Sequence, residues 1–353
     1  MLRSIDSRKM KVLLFNQGLG VDYLADMIIG GLLDDPSITL YTNEIPEHQF
    51  IDYSQEDSLR LYGKGYTITR KFNVEFKSRA ITVHEDYIEH MLSQKVFDLI
   101  VYSSVRRKFR PPHRRLVYKH PESPADFFDI VIKYYDKNEI IAFDGEDDNN
   151  FLEAVVPHVT YYKRELLLKD CTPTLYQKIL QKVFNIKYTP KAYPVSFSFP
   201  KYWNIDLDYL DYPKEYLLAP CDPRNGASYI YNTEKEYYKQ YAKSLFGFTK
   251  KKAGWDCMRH YEILGAGIVP YFEDIESKPS SIMQTWPVEL QIRANQLYNR
   301  LNEYYPDNNI SKLSDEEFRE WRGIQMEFQN WFENYGMTNI YSNILKKVYG
   351  THL

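Results

Sequence analysis

Short apolar runs alternate with amphipathic segments along most of the chain, and this alternation constrains the fold more than any other feature. The first such unit, at 11–33, is typical of a strand, a glycine turn and a helix. Further apolar runs follow at 38–41, 96–102 and 140–143. Strands that alternate with helices form parallel sheets, because each helix returns the chain to the same end of the sheet. The sequence therefore predicts an α/β protein.

The length of the chain favours two domains, since 353 residues can bury two cores of ordinary size. Prolines and a loss of periodicity near 189–194 predict the crossover between them, so we place the first domain at 1–192 and the second at 193–312. Weak alternation over 62–83 predicts a hairpin-like insertion in the first domain. Ser314 and Glu317 form a capping pattern that predicts the start of a long helix.

Composition argues against several functional classes. No apolar run approaches the roughly 18 residues of a membrane helix, and the segment 1–6 lacks the apolar core of a signal peptide, so a cytoplasmic location is expected. Cys171, Cys221 and Cys257 are too dispersed to indicate a disulfide framework or a zinc site. A net charge of −3 provides no overall attraction to nucleic acid.

A basic loop, a short helix and a buried strand are predicted within residues 250–272. Arg259 and Glu262 are three residues apart, so they share one face near the start of that helix, where unpaired backbone N–H groups favour an anion. A guanidinium suits a diphosphate, and a carboxylate one turn later suits the hydroxyls of a ribose. The alternative is an ordinary surface ion pair within the helix.

The same stretch carries a resemblance to a known family. It has the pattern Gly254-Trp255-Asp256-x-x-Arg259-His260-Tyr261-Glu262-x-Leu264-x-x-Gly267-x-x-Pro270. This pattern resembles GT-B glycosyltransferases of the exostosin-like and spore-coat-like branches, and its Arg-x-aromatic-Glu core is similar to that of the phage DNA β-glucosyltransferase. Two looser segments, 144–147 and 162–165, look like those that close the first domain in the same relatives.

The resemblance implies two Rossmann-like domains that face each other across a cleft, with C-terminal helices at 313–353 that pack back on the first domain. It implies a nucleoside-diphosphate sugar, UDP- or GDP-linked, as co-substrate, without a metal or another cofactor. Arg259 would contact the diphosphate and Glu262 the ribose. The other expected donor-side residues are Lys251, Lys252, Gly254, Trp255, Asp256 and Tyr261. Many retaining relatives carry a glutamate where this chain has Gly254, so the stereochemical outcome stays open.

Carboxylates crowd the end of the predicted strand at 140–143, where Asp144, Glu146 and Asp147 follow within a few positions. Crowded like charges raise at least one carboxyl pKa, which is one way to create a general base. An acidic surface turn and a divalent-cation site are the alternatives. Asp22, beside the first glycine turn, is a further candidate for the base.

The acceptor is expected on the first domain. Gly18 and Gly20 form a turn after the first strand, and the absence of a third glycine argues against NAD. Arg106 and Arg107 begin the most basic stretch of the chain, at 106–115, which either meets an anionic acceptor or forms a solvated loop.

Three functions follow from these patterns. The first is a glycosyltransferase acting on a glycan or protein acceptor. The second is a transferase that modifies nucleic-acid bases, with the basic stretch at 106–115 contacting phosphates. The third is a sugar-nucleotide-binding module without catalytic activity.

Overall fold

The computed structural model describes residues 9–16, 21–106, 125–184, 190–201, 211–222 and 224–350. It confirms the α/β class, with one parallel sheet in each half of the chain and helices packed around both. This architecture is compatible with Rossmann-like domains. Within the described ranges, no helix combines the length and the apolar character needed to cross a membrane.

The first sheet has seven strands in the order β3-β2-β1-β4-β5-β6-β7, and all neighbouring pairs are parallel. Its strands are β1 (Met10–Phe15), β2 (Ile38–Thr42), β3 (Ala80–Thr82), β4 (Leu99–Tyr102), β5 (Ile140–Asp144), β6 (Thr160–Lys163) and β7 (Tyr193–Pro194). The helices of this half are α1 (Tyr23–Asp34), α2 (Gln55–Arg60), α3 (Glu85–Ser93), α4 (Phe128–Tyr134), α5 (Leu168–Cys171) and α6 (Leu175–Phe184). The central strands β1, β4 and β5 are almost completely buried, because both faces of the sheet are covered there.

The second sheet has three parallel strands in the order β10-β9-β8. These are β8 (Tyr216–Leu218), β9 (Ser244–Thr249) and β10 (Val269–Phe272), accompanied by α7 (Glu234–Ala242), α8 (Met258–Gly265), α9 (Val288–Tyr304) and α10 (Asp315–Tyr335). One hydrophobic cluster includes Val12 and Leu14 of the first sheet together with Leu245 and Phe246 of the second. The two halves therefore share a continuous core.

The prediction of a hairpin over 62–83 is wrong. This segment contains two short 3₁₀ turns, Tyr62–Gly65 and Val74–Arg79, and ends in β3, which joins the sheet edge in parallel to β2. Thr67 and Arg70 have φ angles of 79° and 56°, and a residue in this left-handed region interrupts an extended strand. The alternation of apolar residues reflects packing of an irregular loop.

The two C-terminal helices pack on different halves of the molecule. We expected the helix after Ser314 to return to the first domain, but α10 packs on α8, α9 and β10. Trp321 Nε1 donates to the carbonyl of Leu245 at 3.0 Å, which fixes α10 against the second sheet. The helix that contacts the first domain is α11 (Asn339–Gly350), which lies along α1. The capping box of Ser314 and Glu317 is confirmed.

The contact between α1 and α11 depends on a glycine. A Cβ atom added at Gly31 would overlap the carbonyl oxygen of Thr338, whereas Gly323, on α10, has open space around it. We therefore predict that Gly31→Ala lowers the free energy of unfolding by about 1–3 kcal/mol through overpacking. Gly323→Ala, the matched control, should raise it by up to about 1 kcal/mol through helix propensity. Urea unfolding measures both values, and an unchanged stability of Gly31→Ala would contradict this close approach of the helices.

Candidate active site

Arg259 lies in the first turn of α8, at the carboxyl end of the second parallel sheet. Its Nη1 donates to the hydroxyl of Tyr241 at 2.9 Å, and its guanidinium lies 4.7 Å from the ring centre of Tyr229. Among the described residues no carboxylate forms an ion pair with it, so its structural partners are neutral. Cys257 occupies the N-cap of α8 and provides no side-chain cap. The first turn of α8 thus combines a guanidinium with backbone N–H groups that lack a side-chain acceptor.

Glu262, one turn later, is buried and does not pair with Arg259, so the alternative of a surface ion pair within the helix is wrong. Its carboxylate accepts hydrogen bonds from the hydroxyls of Tyr237, at 2.9 Å, and Thr67, at 2.7 Å. Thr67 belongs to the first half of the chain, in the segment predicted to be a hairpin. Glu262, the carboxylate expected to bind the ribose, is therefore covered by a residue from the first half of the chain.

The segment that carries Thr67 is held on α7 by further contacts. Both carboxylate oxygens of Glu234 lie 2.6 Å from Lys71 Nζ, and one accepts from the backbone N–H of Thr67 at 2.7 Å. The hydroxyl of Tyr66 donates to the carbonyl of Tyr231 at 3.1 Å. We call residues 62–72 the capping segment, since they close one side of the space around Glu262.

The remaining donor-side candidates occupy two different surroundings. Lys251 and Lys252 are exposed, and Lys251 Nζ lies 5.3 Å from the ring centre of the buried Trp255. Gly254 faces the first half of the chain, where an added Cβ would lie 2.5 Å from the carboxylate of Glu165. The glycine is therefore required by the close approach of the two halves of the chain.

Asp256 and Tyr261 also face this junction. Asp256 accepts hydrogen bonds from the backbone N–H of Phe197 at 2.6 Å and from the Tyr261 hydroxyl at 3.1 Å. Burial raises the pKa of its carboxyl to about 7, and the nearby Arg164 opposes that rise. These contacts give both residues a structural role between the halves of the chain.

Arg164 joins the acidic turn after β5 to the loop before α8. Its guanidinium contacts the Asp147 carboxylate and the backbone carbonyl of Asp256, and it donates to Glu165 at 3.1 Å. Its Nε donates to the carbonyl of Gly145 at 3.0 Å. The side chain is 1% exposed, and four N–H groups of its guanidinium meet these acceptors. The basic residues at the end of β6 are visible in the sequence, but the contact of Arg164 with Asp256 spans 92 residues.

The carboxylates of the acidic turn differ in exposure. Asp144 is completely buried, with the Tyr161 hydroxyl at 2.6 Å and Lys163 Nζ at 3.2 Å. Asp147 is half exposed and pairs with Arg164, while Glu146 is partly buried. The crowded negative charge predicted from the sequence is thus offset by cations. Among the described residues, no group of three or more His, Cys, Asp and Glu side chains could hold a metal ion.

The acceptor-side candidates are structural or lie outside the described residues. Asp22 is the N-cap of α1, where its carboxylate accepts from the backbone N–H groups of Leu24 and Ala25. Arg106 pairs with both oxygens of Asp148, at 2.6 and 2.8 Å. Gly18, Gly20 and Arg107 lie outside the described residues.

Several residues around the site were not predicted from the sequence. Tyr237 and Tyr241 lie one turn apart on α7, but their spacing is equally typical of core packing, and Thr67 carries no local signal at all. A buried pair, His48 with Asp26 at 2.9 Å, also went unpredicted. A scan against protein-family models finds no match for the chain, and a search of curated proteins finds none either.

The surroundings of two histidines predict opposite titration behaviour. His260 is fully buried between the Thr249 hydroxyl and the Trp255 carbonyl, both at 2.8 Å, and burial lowers its pKa to about 3. For His48, burial opposes the charge, but the Asp26 carboxylate outweighs it and raises the pKa. His260 should therefore stay neutral between pH 5 and 8, whereas His48 titrates above its usual pKa of about 6.5.

Imidazole resonances followed by NMR against pH, and assigned with His260→Gln and His48→Gln, measure both values. Since the unfolded chain binds a proton at His260 below pH about 6.5 and the folded chain does not, this group contributes stability that is lost as pH falls. A measured pKa of about 6.5 for His260 would contradict its burial between Thr249 and Trp255.

Proposed function

We propose that the chain is a glycosyltransferase of the GT-B type, which transfers a sugar from a nucleoside diphosphate to an acceptor hydroxyl. The observation that carries the proposal is the environment of Arg259. Its described partners are neutral, namely the Tyr241 hydroxyl, the Cys221 thiol and the ring of Tyr229, and it lies in the first turn of α8. Arg259 is partly buried, and a partly desolvated cation without a paired carboxylate favours an anionic ligand.

A diphosphate fits this position better than a single carboxylate does. The guanidinium binds one phosphate oxygen pair in its plane, and the N–H groups of the α8 first turn accommodate another charge nearby. Lys251 and Lys252, on the exposed loop before α8, extend the positive charge toward solvent. As the bond between the anomeric carbon and the diphosphate oxygen breaks, its electron pair passes to that oxygen, and these groups stabilise the negative charge that develops.

The ribose would bind to Glu262, in competition with Thr67. Both oxygens of Glu262 already accept hydroxyl hydrogen bonds, from Thr67 and Tyr237. A ribose offers two hydroxyls of the same chemistry, so it can replace Thr67 without leaving the carboxylate unpaired. Donor binding on this proposal requires movement of the capping segment away from α8.

The acceptor would be activated by Glu146 or Asp147, the two carboxylates of the acidic turn that are not fully buried. One of them takes the proton of the acceptor hydroxyl while its oxygen bonds to the anomeric carbon. Asp144 and Asp22 are less suited, because both are buried. The acceptor is a glycan or a protein on this proposal. A nucleic-acid acceptor is less favoured, since Arg106 is paired with Asp148.

Replacement of Arg259 tests the assignment of the diphosphate. A thermal-shift screen against UDP-, GDP-, ADP- and CMP-sugars first identifies the donor, because a ligand that binds only the folded state raises the melting temperature. We expect Arg259→Met to abolish that shift and to lower turnover at least roughly 10²-fold. Arg293→Met, which removes an exposed arginine on α9, is the matched control and should leave both unchanged. Normal donor binding by Arg259→Met would refute the assignment.

Thr67→Val tests the competition for Glu262. Valine keeps the shape of threonine but removes the hydroxyl that donates to Glu262 and lies 2.6 Å from the Tyr238 hydroxyl, so the capping segment is held less tightly. We expect donor affinity to rise about tenfold, as expected for a lost hydrogen bond to a charged group. Thr69→Val is the control, because it removes a hydroxyl of the same segment that donates to the Gly65 carbonyl. Equal donor affinities of both variants, by titration calorimetry, would remove the ribose role of Glu262.

The position of the base is tested by Glu146→Gln and Asp147→Asn. One of them should lower transfer by roughly 10²-fold or more while donor binding stays intact, the effect of losing a general base. Asp148→Asn, which removes a neighbouring carboxylate paired with Arg106, is the control. Transfer at the wild-type rate in both variants would place the base elsewhere. Donor binding without transfer in the wild-type chain would favour the non-catalytic binding module.

A further inference from the structure

The helix α6 exposes an apolar face. Leu175, Tyr176, Ile179 and Val183 are 77%, 69%, 51% and 63% exposed, and their spacing places them side by side on the helix. We call these four residues the α6 face. Leu168, on the neighbouring α5, is also exposed. Single exposed apolar residues are common on proteins, but a helix that turns a whole apolar stripe toward solvent indicates a binding surface.

The polar side of the same helix is basic. Lys178 and Lys182 are exposed, and neither forms an ion pair in the part of the chain that the structure describes. The surrounding sequence is unusual for this protein. Between Asp170 and Asp206 it contains five lysines and no acidic residue, although Asp and Glu make up 48 of the 353 residues overall. Two of the five, Lys191 and Lys201, pair with Glu153 and Asp34, so Lys178 and Lys182 supply the positive charge on α6 itself.

A second copy of the chain is a poor occupant for this surface. A helix of this length is about 15 Å long and about 10 Å wide, so its footprint is roughly 150 Å². Stable dimers bury about 800 Å² on each partner. A two-fold contact through the α6 face would also bring Lys178 and Lys182 of each copy near those of the other, and like charges repel.

An anionic lipid surface matches both properties. Apolar side chains of an amphipathic helix insert at the boundary between headgroups and acyl chains, and flanking lysines contact lipid phosphates. We infer that α6 attaches the protein to the surface of membranes that contain anionic lipids. The helix lies in the plane of the bilayer, with the α6 face inserted and the two lysines at headgroup level. This attachment is independent of the glycosyltransferase proposal.

Co-sedimentation with vesicles tests this inference. We expect the wild-type chain to bind vesicles that contain phosphatidylglycerol, and to bind vesicles of phosphatidylcholine alone at least roughly tenfold more weakly. Binding should fall as salt rises, because exposed charges are screened. Equal binding to both vesicle types, or no binding to either at low salt, would overturn the inference.

Two variants separate the apolar and the basic contributions. Ile179→Ser, and separately Lys178→Gln with Lys182→Gln, should each reduce binding to the anionic vesicles by roughly tenfold or more. The matched controls are Met326→Ser, an exposed apolar residue of α10, and Lys235→Gln with Lys347→Gln, two exposed lysines on α7 and α11. The controls should bind as the wild type does, and circular dichroism checks that all variants fold.

Sedimentation velocity without lipid tests the alternative occupant. We expect a monomer at all concentrations in both the wild-type chain and Ile179→Ser. A dimer of the wild type that Ile179→Ser dissociates would assign the α6 face to self-association and overturn the inference. Reduced vesicle binding by the control lysine variant would likewise overturn it, since the attraction would then come from overall charge and not from α6.

Discussion

The position of one sheet relative to the other depends on the hydrogen bonds of the buried Arg164 guanidinium. It contacts the Asp147 carboxylate and the Gly145 carbonyl on the first half of the chain, and the Asp256 carbonyl on the second. A buried cation is tolerated only when its hydrogen bonds are satisfied, and removal of a buried partner from such a network typically costs about 3–5 kcal/mol. Gly254 is part of the same constraint, because any side chain there would displace the Glu165 carboxylate. The acidic turn and the loop before α8 are therefore held in one arrangement.

A second junction lies at Glu262 and has a different character. Here the first half of the chain contributes a single hydroxyl, that of Thr67, from an irregular segment with left-handed backbone at Thr67 and Arg70. Displacement of this segment would break the hydrogen bond of Thr67 to Glu262 and also the contacts of Lys71 and of the Thr67 backbone with Glu234. A ligand that binds Glu262 better than Thr67 does would shift the molecule toward an open state. The Arg164 junction would then act as the fixed side of that movement.

The sequence predicted the central strands well because β1, β4 and β5 are buried apolar runs. It failed at 62–83, where alternation arose from loop packing and the φ angles of Thr67 and Arg70 could not be read from residue type. It also placed Arg259 and Glu262 on the same helix, but it could not identify the residues that form hydrogen bonds with them. The contact of Glu262 with Thr67 spans 195 residues, and no local pattern encodes a contact at that distance. The same holds for Asp144, whose neutralising Lys163 becomes its neighbour only through pairing of β5 with β6.

The tyrosines explain how Arg259 and Glu262 remain near each other without forming an ion pair. The hydroxyls of Tyr241 and Tyr237 satisfy the guanidinium and the carboxylate respectively. Burial raises the pKa of both tyrosines, so each stays neutral. An ion pair between Arg259 and Glu262 would have to be broken before either could bind a ligand, at a cost comparable to the binding gained. Neutral hydroxyl partners hold the two charges in position and leave each with capacity for further hydrogen bonds, which is the condition that a ligand with both a diphosphate and a ribose requires.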